Sequence, residues 1–203
     1  RPGFEERRNT LVVAFIVVST LVFLSAGAAP VDLTVRRDVE KIVEQVLTLV
    51  GSYNRTITDI DVLTRKDATV IDAAGYLTDE ERKKATESLG LLVGDLSLSQ
   101  LKSAMQTTMM NPYPTSRGRD LALLAQIGIS TDTRAPGSGG IDKARLRGYL
   151  EVDEAKLTNA VQRWPDAVKD LFGADTDGDL AVNAGAAFSL DALLRSYVTT
   201  GGI

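Results

Sequence analysis

The clearest chemical pattern in this chain is the carboxylate run Asp175-Thr176-Asp177-Gly178-Asp179, which alternates as the hard oxygen ligands of a calcium loop do. The rest of such a loop is missing. Counted from Asp175, the sixth position is Leu180, where the sharp turn requires glycine, and the twelfth is Ala186, where a bidentate glutamate belongs. The expectation is a solvated acidic turn. A second candidate, Pro136-Gly137-Ser138-Gly139-Gly140, has the glycines to cradle a phosphate, but no Lys-Ser/Thr pair follows and no strand-to-helix turn encloses it. It is expected to be part of a flexible loop over 132–142. Asn54-Arg55-Thr56 is a glycosylation sequon in form, placed inside a predicted helix, and Arg117 and Arg119 with Asp120 make a small mixed-charge patch.

The remaining routes to catalysis are narrow. The chain has no histidine and no cysteine, which removes the commonest general base, thiol nucleophiles, thiolate metal sites and disulfides. No motif marks a serine or threonine activated by lysine. With 27 acidic residues, proximity of two carboxylates alone would signify nothing. No catalytic, cofactor-binding or metal-binding residue is therefore assigned, and the chain is expected to be a structural protein and not an enzyme, with no cofactor and no small-molecule substrate. Its 23 basic residues leave a net charge of −4, so there is no basic field to gather nucleic acid.

The elements that would position these residues are mostly helical. Asp38 is an N-cap, and Val39, Ile42, Val43, Val46, Leu49, Val50 and Tyr53 recur at helical spacing, continued by Ile57, Ile60 and Leu63. One long helix ending near Arg65 is predicted. Residues 67–75 read as a connection, and Thr78-Asp79-Glu80-Glu81 as a capping box opening a helix to about Leu89. Ser97-Leu98-Ser99-Gln100 reads as a second capping box, opening a helix through Leu101, Met105 and Met109 that Asn111-Pro112-Tyr113-Pro114 ends. A helical run from Gly118 to Ala125 leads into a strand over Ile127-Gly128-Ile129-Ser130-Thr131. Leu146, Gly148, Leu150 and Val152 alternate with polar or aromatic residues as a second strand able to pair with it. Asp153 caps a further helix, Pro165 opens another, and Phe188 to Val198 carries the last. Tyr113 and Trp164 are either core residues or interface anchors.

The start of the chain differs. Leu11 to Val31 is 21 residues without a charge, preceded by Arg7-Arg8 and followed by small residues, a pattern shared by signal peptides, membrane anchors and buried strands. Its most apolar part, Leu11 to Leu24, is 14 residues, short for a span, and rich in Val, Ile, Thr and Phe. One or two buried strands, around Val12 to Val18 and Leu21 to Leu24, are the favoured reading. The alternative is a membrane anchor over residues 11–31 carrying an extracytoplasmic binding domain. The chain begins with Arg1 and closes on Gly201-Gly202-Ile203, so a segment of a longer protein is expected.

Several stretches carry a family resemblance when taken in order. Val31-Asp32-Leu33-Thr34-Val35-Arg36-Arg37-Asp38, Val50-Gly51-Ser52-Tyr53-Asn54, Leu92-Val93-Gly94-Asp95-Leu96-Ser97-Leu98, Leu150-Glu151-Val152-Asp153-Glu154-Ala155-Lys156-Leu157 and Ala167-Val168-Lys169-Asp170-Leu171-Phe172-Gly173 are five of them. Together with Ile127-Gly128-Ile129-Ser130-Thr131 and the closing Thr200-Gly201-Gly202-Ile203, they resemble the C-terminal region of the flagellar hook-associated protein 2 family, the FliD filament caps. The succession spans about residues 3 to 203. Met109-Met110-Asn111-Pro112-Tyr113-Pro114-Thr115 resembles the version in bacteria with periplasmic flagella. One departure is that Asn9-Thr10 runs into Ile16-Val17-Val18-Ser19-Thr20-Leu21 without the family's Pro-Gly turn.

The resemblance implies an α+β fold: residues 1–36 as strands completing a β-rich head domain, and residues 37–203 as a helix-rich leg domain with a small β-hairpin, lacking the terminal coiled coil. It also implies a protein exported without a cleaved signal to the bacterial flagellum, outside the cell or in the periplasm. There it would form a homo-oligomeric ring at the filament tip and promote flagellin polymerisation. Flagellin, the hook-filament junction proteins and a flagellar export chaperone, whose site would lie outside this fragment, are the implied partners.

Overall fold

The computed structural model describes residues 38–133 and 147–198. The chain divides into two compact units, 1–37 and 38–203, and every described residue lies in the second. The apolar run of residues 11–31, the head-domain strands expected over 1–36 and the Gly-rich stretch 136–140 therefore lie outside the described residues. Among the described residues no helix is long and apolar enough to cross a membrane.

The long stripe predicted from Asp38 forms helix α1, Val39–Thr64, with the Asp38 carboxylate accepting from the Lys41 N–H. At 1.5 Å per residue it is a strut of about 39 Å. Val46, Val50, Tyr53, Ile57 and Ile60 are buried along it, and complete burial of a side chain such as Ile57 stabilises the fold by roughly 2–3 kcal/mol. Two further helices line this strut, α4 (Leu96–Met110) and α5 (Glu154–Arg163). Helix α6 (Pro165–Phe172) packs on α5, and α7 (Ala186–Val198) closes over α4 and α6. Met105, Leu121, Leu124, Ile127, Leu157 and Leu171 complete one continuous core.

A smaller apolar cluster lies against the far half of α1. Residues 67–75, expected to be a plain connection, contain a one-turn helix α2, Thr69–Asp72, that buries Val70 and Ile71 beside Val62. Helix α3, Asp79–Ser88, starts with the predicted capping box: Thr78 accepts from the Glu81 N–H while the Glu81 carboxylate accepts from the Thr78 N–H. Arg82 reaches back from α3 to donate to the Ile71 and Ala74 carbonyls at 3.3 and 3.2 Å, a second donor to each beside the backbone N–H groups of Ala74 and Leu77.

Three expectations need correction. The cap of α4 is Asp95, whose carboxylate accepts the Leu98 N–H at 2.9 Å, and Ser97 lies inside the helix. Both residues are good caps, but Asp95 stands after a turn built on Gly90 and Gly94 at positive φ, so the chain enters the helix two residues earlier. The run from Gly118 to Ala125 is not an α-helix: it makes two 3-10 turns, Gly118–Leu121 and Leu124–Ile127. The Gln126 side chain there accepts from the Ala122 and Leu123 N–H groups, both at 2.7 Å, replacing the helical bonds. The strands are also shorter than their alternation suggests. Among the described residues of the two expected strands, Ile129–Ser130 (β1) and Glu151–Val152 (β2) are the ones that pair, antiparallel, with Ile129 opposite Val152. Gly128, at φ 92°, ends the preceding turn, and a Cβ there would lie 2.9 Å from the Asp153 carbonyl oxygen.

Candidate functional site

Three places combine polar chemistry or exposed apolar surface, and the sequence-predicted residues fall unevenly among them. The acidic run forms an exposed loop between α6 and α7, closed at its base by paired Ala174 and Ala184. Oxygens of Asp175, Asp177 and Asp179 come within 4.8 Å of one another. The Asp175 carboxylate accepts the N–H groups of Asp177, Gly178 and Leu180 at 3.2, 2.7 and 2.9 Å, and Asp179 accepts from Ala181 at 2.8 Å. These donors, Gly178 first, hold the Asp175 carboxyl below its ordinary value. Asn183 ties the other side by accepting the Thr176 N–H and hydroxyl. Asp175 thus shapes its own turn.

The remaining predicted residues serve the fold. Arg117, Arg119 and Asp120 form no ion pair among the described residues. Arg117 instead lies 5.0 Å over the Trp164 ring, with Arg163 5.3 Å from the same ring, a pair of cation–π contacts joining the loop after α4 to the junction of α5 and α6. Tyr113 is core, its hydroxyl donating to the Thr108 carbonyl at 2.7 Å. Asn54 of the sequon is a clamp: its amide donates to the Leu150 carbonyl and accepts the Leu150 N–H, both at 2.8 Å.

That clamp belongs to a buried polar cluster that sequence reasoning missed. The segment 147–150 has no strand partner, so its backbone is held by side chains. Tyr53 donates to the Gly148 carbonyl at 3.2 Å, Gln106 to the Arg147 carbonyl at 2.9 Å, and Arg147 reaches the Thr69 hydroxyl at 2.8 Å and the Asp67 carboxylate at 3.5 Å. The backbone at residue 148 favours glycine. Its φ is 84°, and a Cβ would sit 1.8 Å from the Gln106 amide nitrogen. Beneath Tyr149 lies Asp61, 1% exposed, which accepts from Lys102 at 2.6 Å, Arg65 at 2.8 Å and the Tyr149 hydroxyl at 3.4 Å. Burial pushes the Lys102 ammonium down while Asp61 holds it up. One signal was available: Asp61 lies four residues beyond Ile57 and eight beyond Tyr53, on the apolar stripe itself.

The third place is apolar. Around the turn from α3 to α4, Leu91, Leu92, Val93 and Leu96 are exposed. Next to it a groove of about 360 Å³ runs between α1 and α3, with Val62, Leu63, Leu77 and Ala85 along its floor. The Arg55–Glu81 ion pair, 2.5 Å, closes one end. The Thr78 N–H, then Arg55, drive the Glu81 carboxyl down to about 2.

The polar residues of this helical body cap its helices, clamp its irregular segments and seal its core edge, and its relatives show the family to which it belongs. A profile of the flagellar hook-associated protein 2 C-terminus matches residues 6–203, and the chain belongs to that family. It is 43% identical over 171 residues to the flagellar hook-associated protein 2 of Treponema pallidum, covering 84% of this chain and 23% of that protein. It is 26% identical to the Borreliella burgdorferi protein of the same description, covering 99% of this chain and 30% of the relative. The chain thus spans less than a third of the length of these spirochaete relatives. Among solved structures it is similar to the flagellar cap protein FliD from Escherichia coli, domains D1-D2-D3, with a TM-score of 0.50 and 25% identity over 83% of this chain and 35% of that one. The resemblance read from the ordered segments is thereby confirmed, as is a helix-rich body with a two-stranded antiparallel sheet.

Proposed function

We propose that this chain is part of a structural cap protein at the tip of the flagellar filament, one that assembles with copies of itself and promotes flagellin polymerisation. The observation that carries the reading is the family match over residues 6–203, nearly the whole chain. The described body has the physical character the role requires. Its long strut α1, buttressed by α4 and α5, is a stiff lever, and its polar side chains are committed to holding segments together. In this reading residues 37–203 form the leg and residues 1–36 complete the head. The protein is exported to the flagellum, in the periplasm where the flagella are periplasmic, and its partners are flagellin, the hook-filament junction proteins and an export chaperone, the last binding outside this segment. No comparison favours the membrane-anchored alternative.

The test is deletion of the parent gene with complementation. Loss of filaments together with release of unpolymerised flagellin is expected, restored by the full-length gene. Normal filament length in the deletion strain would end the reading.

A further inference from the structure

Between α1 and α4 the chain makes an excursion whose two ends meet. It leaves the last turn of α1 at Arg65 and returns at Gly90, where the Gly90 N–H donates to the Val62 carbonyl and the Leu92 N–H to the Leu63 carbonyl, both at 2.8 Å. Gly90 is at φ 72°, and a Cβ there would lie 3.2 Å from the Arg65 carbonyl oxygen, so exit and return are packed against each other. A segment closed at its base in this way can detach without moving the chain on either side of it.

What holds residues 66–89 down is small and separate from the rest. Val70 and Ile71 of α2 are buried with Val62 in a cluster edged by Leu77, Ala85 and Leu89, and this cluster shares no residue with the main core. Helix α3 buries no residue at all. Seven of its ten residues are charged, and it is too short to stand without its capping box and its neighbours. The polar ties to α1 lie at the surface. Arg55 meets Glu81, both side chains more than a third exposed, and the hydroxyl of Tyr76, 44% exposed, meets that of Thr58 at 2.5 Å. A further tie comes from segment 147–150, where Arg147 donates to the Thr69 hydroxyl and carbonyl. By contrast, α1 and α4–α7 are joined through one continuous core in which Ile57, Met105, Leu157 and Leu171 are fully buried.

We propose that residues 66–89 form a flap that opens and closes as one unit while α1 and α4–α7 stay folded. Val70 and Ile71 are its seat. Glu81 is its latch, since one carboxylate both closes the start of α3 and pairs with Arg55 of α1. Opening bares the Val62 side of α1 and leaves the Asp61 cluster in place, because Arg65, Lys102 and Tyr149, the donors to Asp61, all lie outside the flap. The flap follows from packing alone and stands apart from the cap reading.

Hydrogen exchange of the full-length protein, followed by mass spectrometry across a series of urea concentrations below the unfolding transition, tests it. Amides of α2 and α3 should share one protection factor and one urea dependence, with protection at least about tenfold lower than in 101–109 and 157–171. Val70→Ala should speed exchange across the whole flap about tenfold or more, and Glu81→Gln about threefold, with 101–109 and 157–171 unchanged in both. A Val70→Ala protein whose flap exchanges without protection while those two segments stay protected supports the proposal equally. Exchange that speeds in 157–171 as much as in the flap would overturn it, since the body would then open as one. Amides of α3 that exchange without urea dependence while α2 stays protected would also overturn it, because that is the fraying of one helix.

Discussion

Asp61 and Asp175 each gather three hydrogen-bond donors onto one carboxylate, and almost everything else about them differs. The donors to Asp61 come from Arg65 just past α1, Lys102 of α4 and Tyr149, up to 88 residues away, and the carboxylate is 1% exposed. Those to Asp175 are backbone N–H groups within five residues, in an exposed loop. The first cluster gains strength from a low local dielectric and would lose as much if one partner were missing. The second works against water, where its donors are readily solvated once released. One cluster therefore locks distant segments together, while the other shapes a local surface.

The comparison breaks most sharply at Asp61. Asp61→Ala leaves Lys102 and Arg65 facing each other beside the core without a counter-charge, and should cost about 3–5 kcal/mol in urea unfolding. Asp61→Asn, which keeps the shape and part of the hydrogen bonding, should cost less. A loss under 1 kcal/mol for the alanine variant would show that the cluster does not bind the helices together.

Gly148 tests the same cluster through its backbone. Gly148→Ala should destabilise by roughly 2 kcal/mol, from the positive φ and from the collision with Gln106. Adding Gln106→Ala should return only the collision part, so a double-mutant cycle separates the two. Full recovery in the double variant would mean that the backbone conformation carries no cost.

The exposed carboxylates give the smallest effect, read best through pH. The Glu81 carboxyl is held at about 2 from an ordinary 4.5, and Asp175 is also depressed. For a depressed carboxyl the stabilisation is present above the unfolded value and lost as pH falls through the folded one. Melting temperatures should decline between about pH 4.5 and about pH 2, less steeply in Glu81→Gln. Asp175→Asn should change the slope in the same direction and by less, and should leave unfolding at neutral pH close to wild type. A large loss of global stability in Asp175→Asn would erase the distinction between the two carboxylates.

How much of this was readable in advance follows the same division. The caps at Asp38, Thr78 and Asp153 and the proline opening α6 were visible because each acts within four residues of itself. The run 118–125 was misread as helix because a single side chain, Gln126, supplies bonds that a helix would make with its backbone. The alternation from Leu146 to Val152 suggested a longer strand than β2, since segment 147–150 takes its partners from helices and not from a neighbouring strand. Alternation reports which side is buried, not what accepts the hydrogen bonds.

The amino-acid sequence by itself determined the helical character of this body, the positions of most helix starts and the family to which the chain belongs, because capping, periodicity and ordered short segments are written locally. Only the tertiary structure decided that Asn54 is a clamp, that Asp61 is the centre of a buried ionic cluster, that a side chain at Gly148 would collide with Gln106, and that Leu180 stands out from the surface on a prepared loop. Each of these depends on contacts between residues far apart in the chain, or on one backbone angle held by a side-chain network. Neither has a period or a motif to announce it.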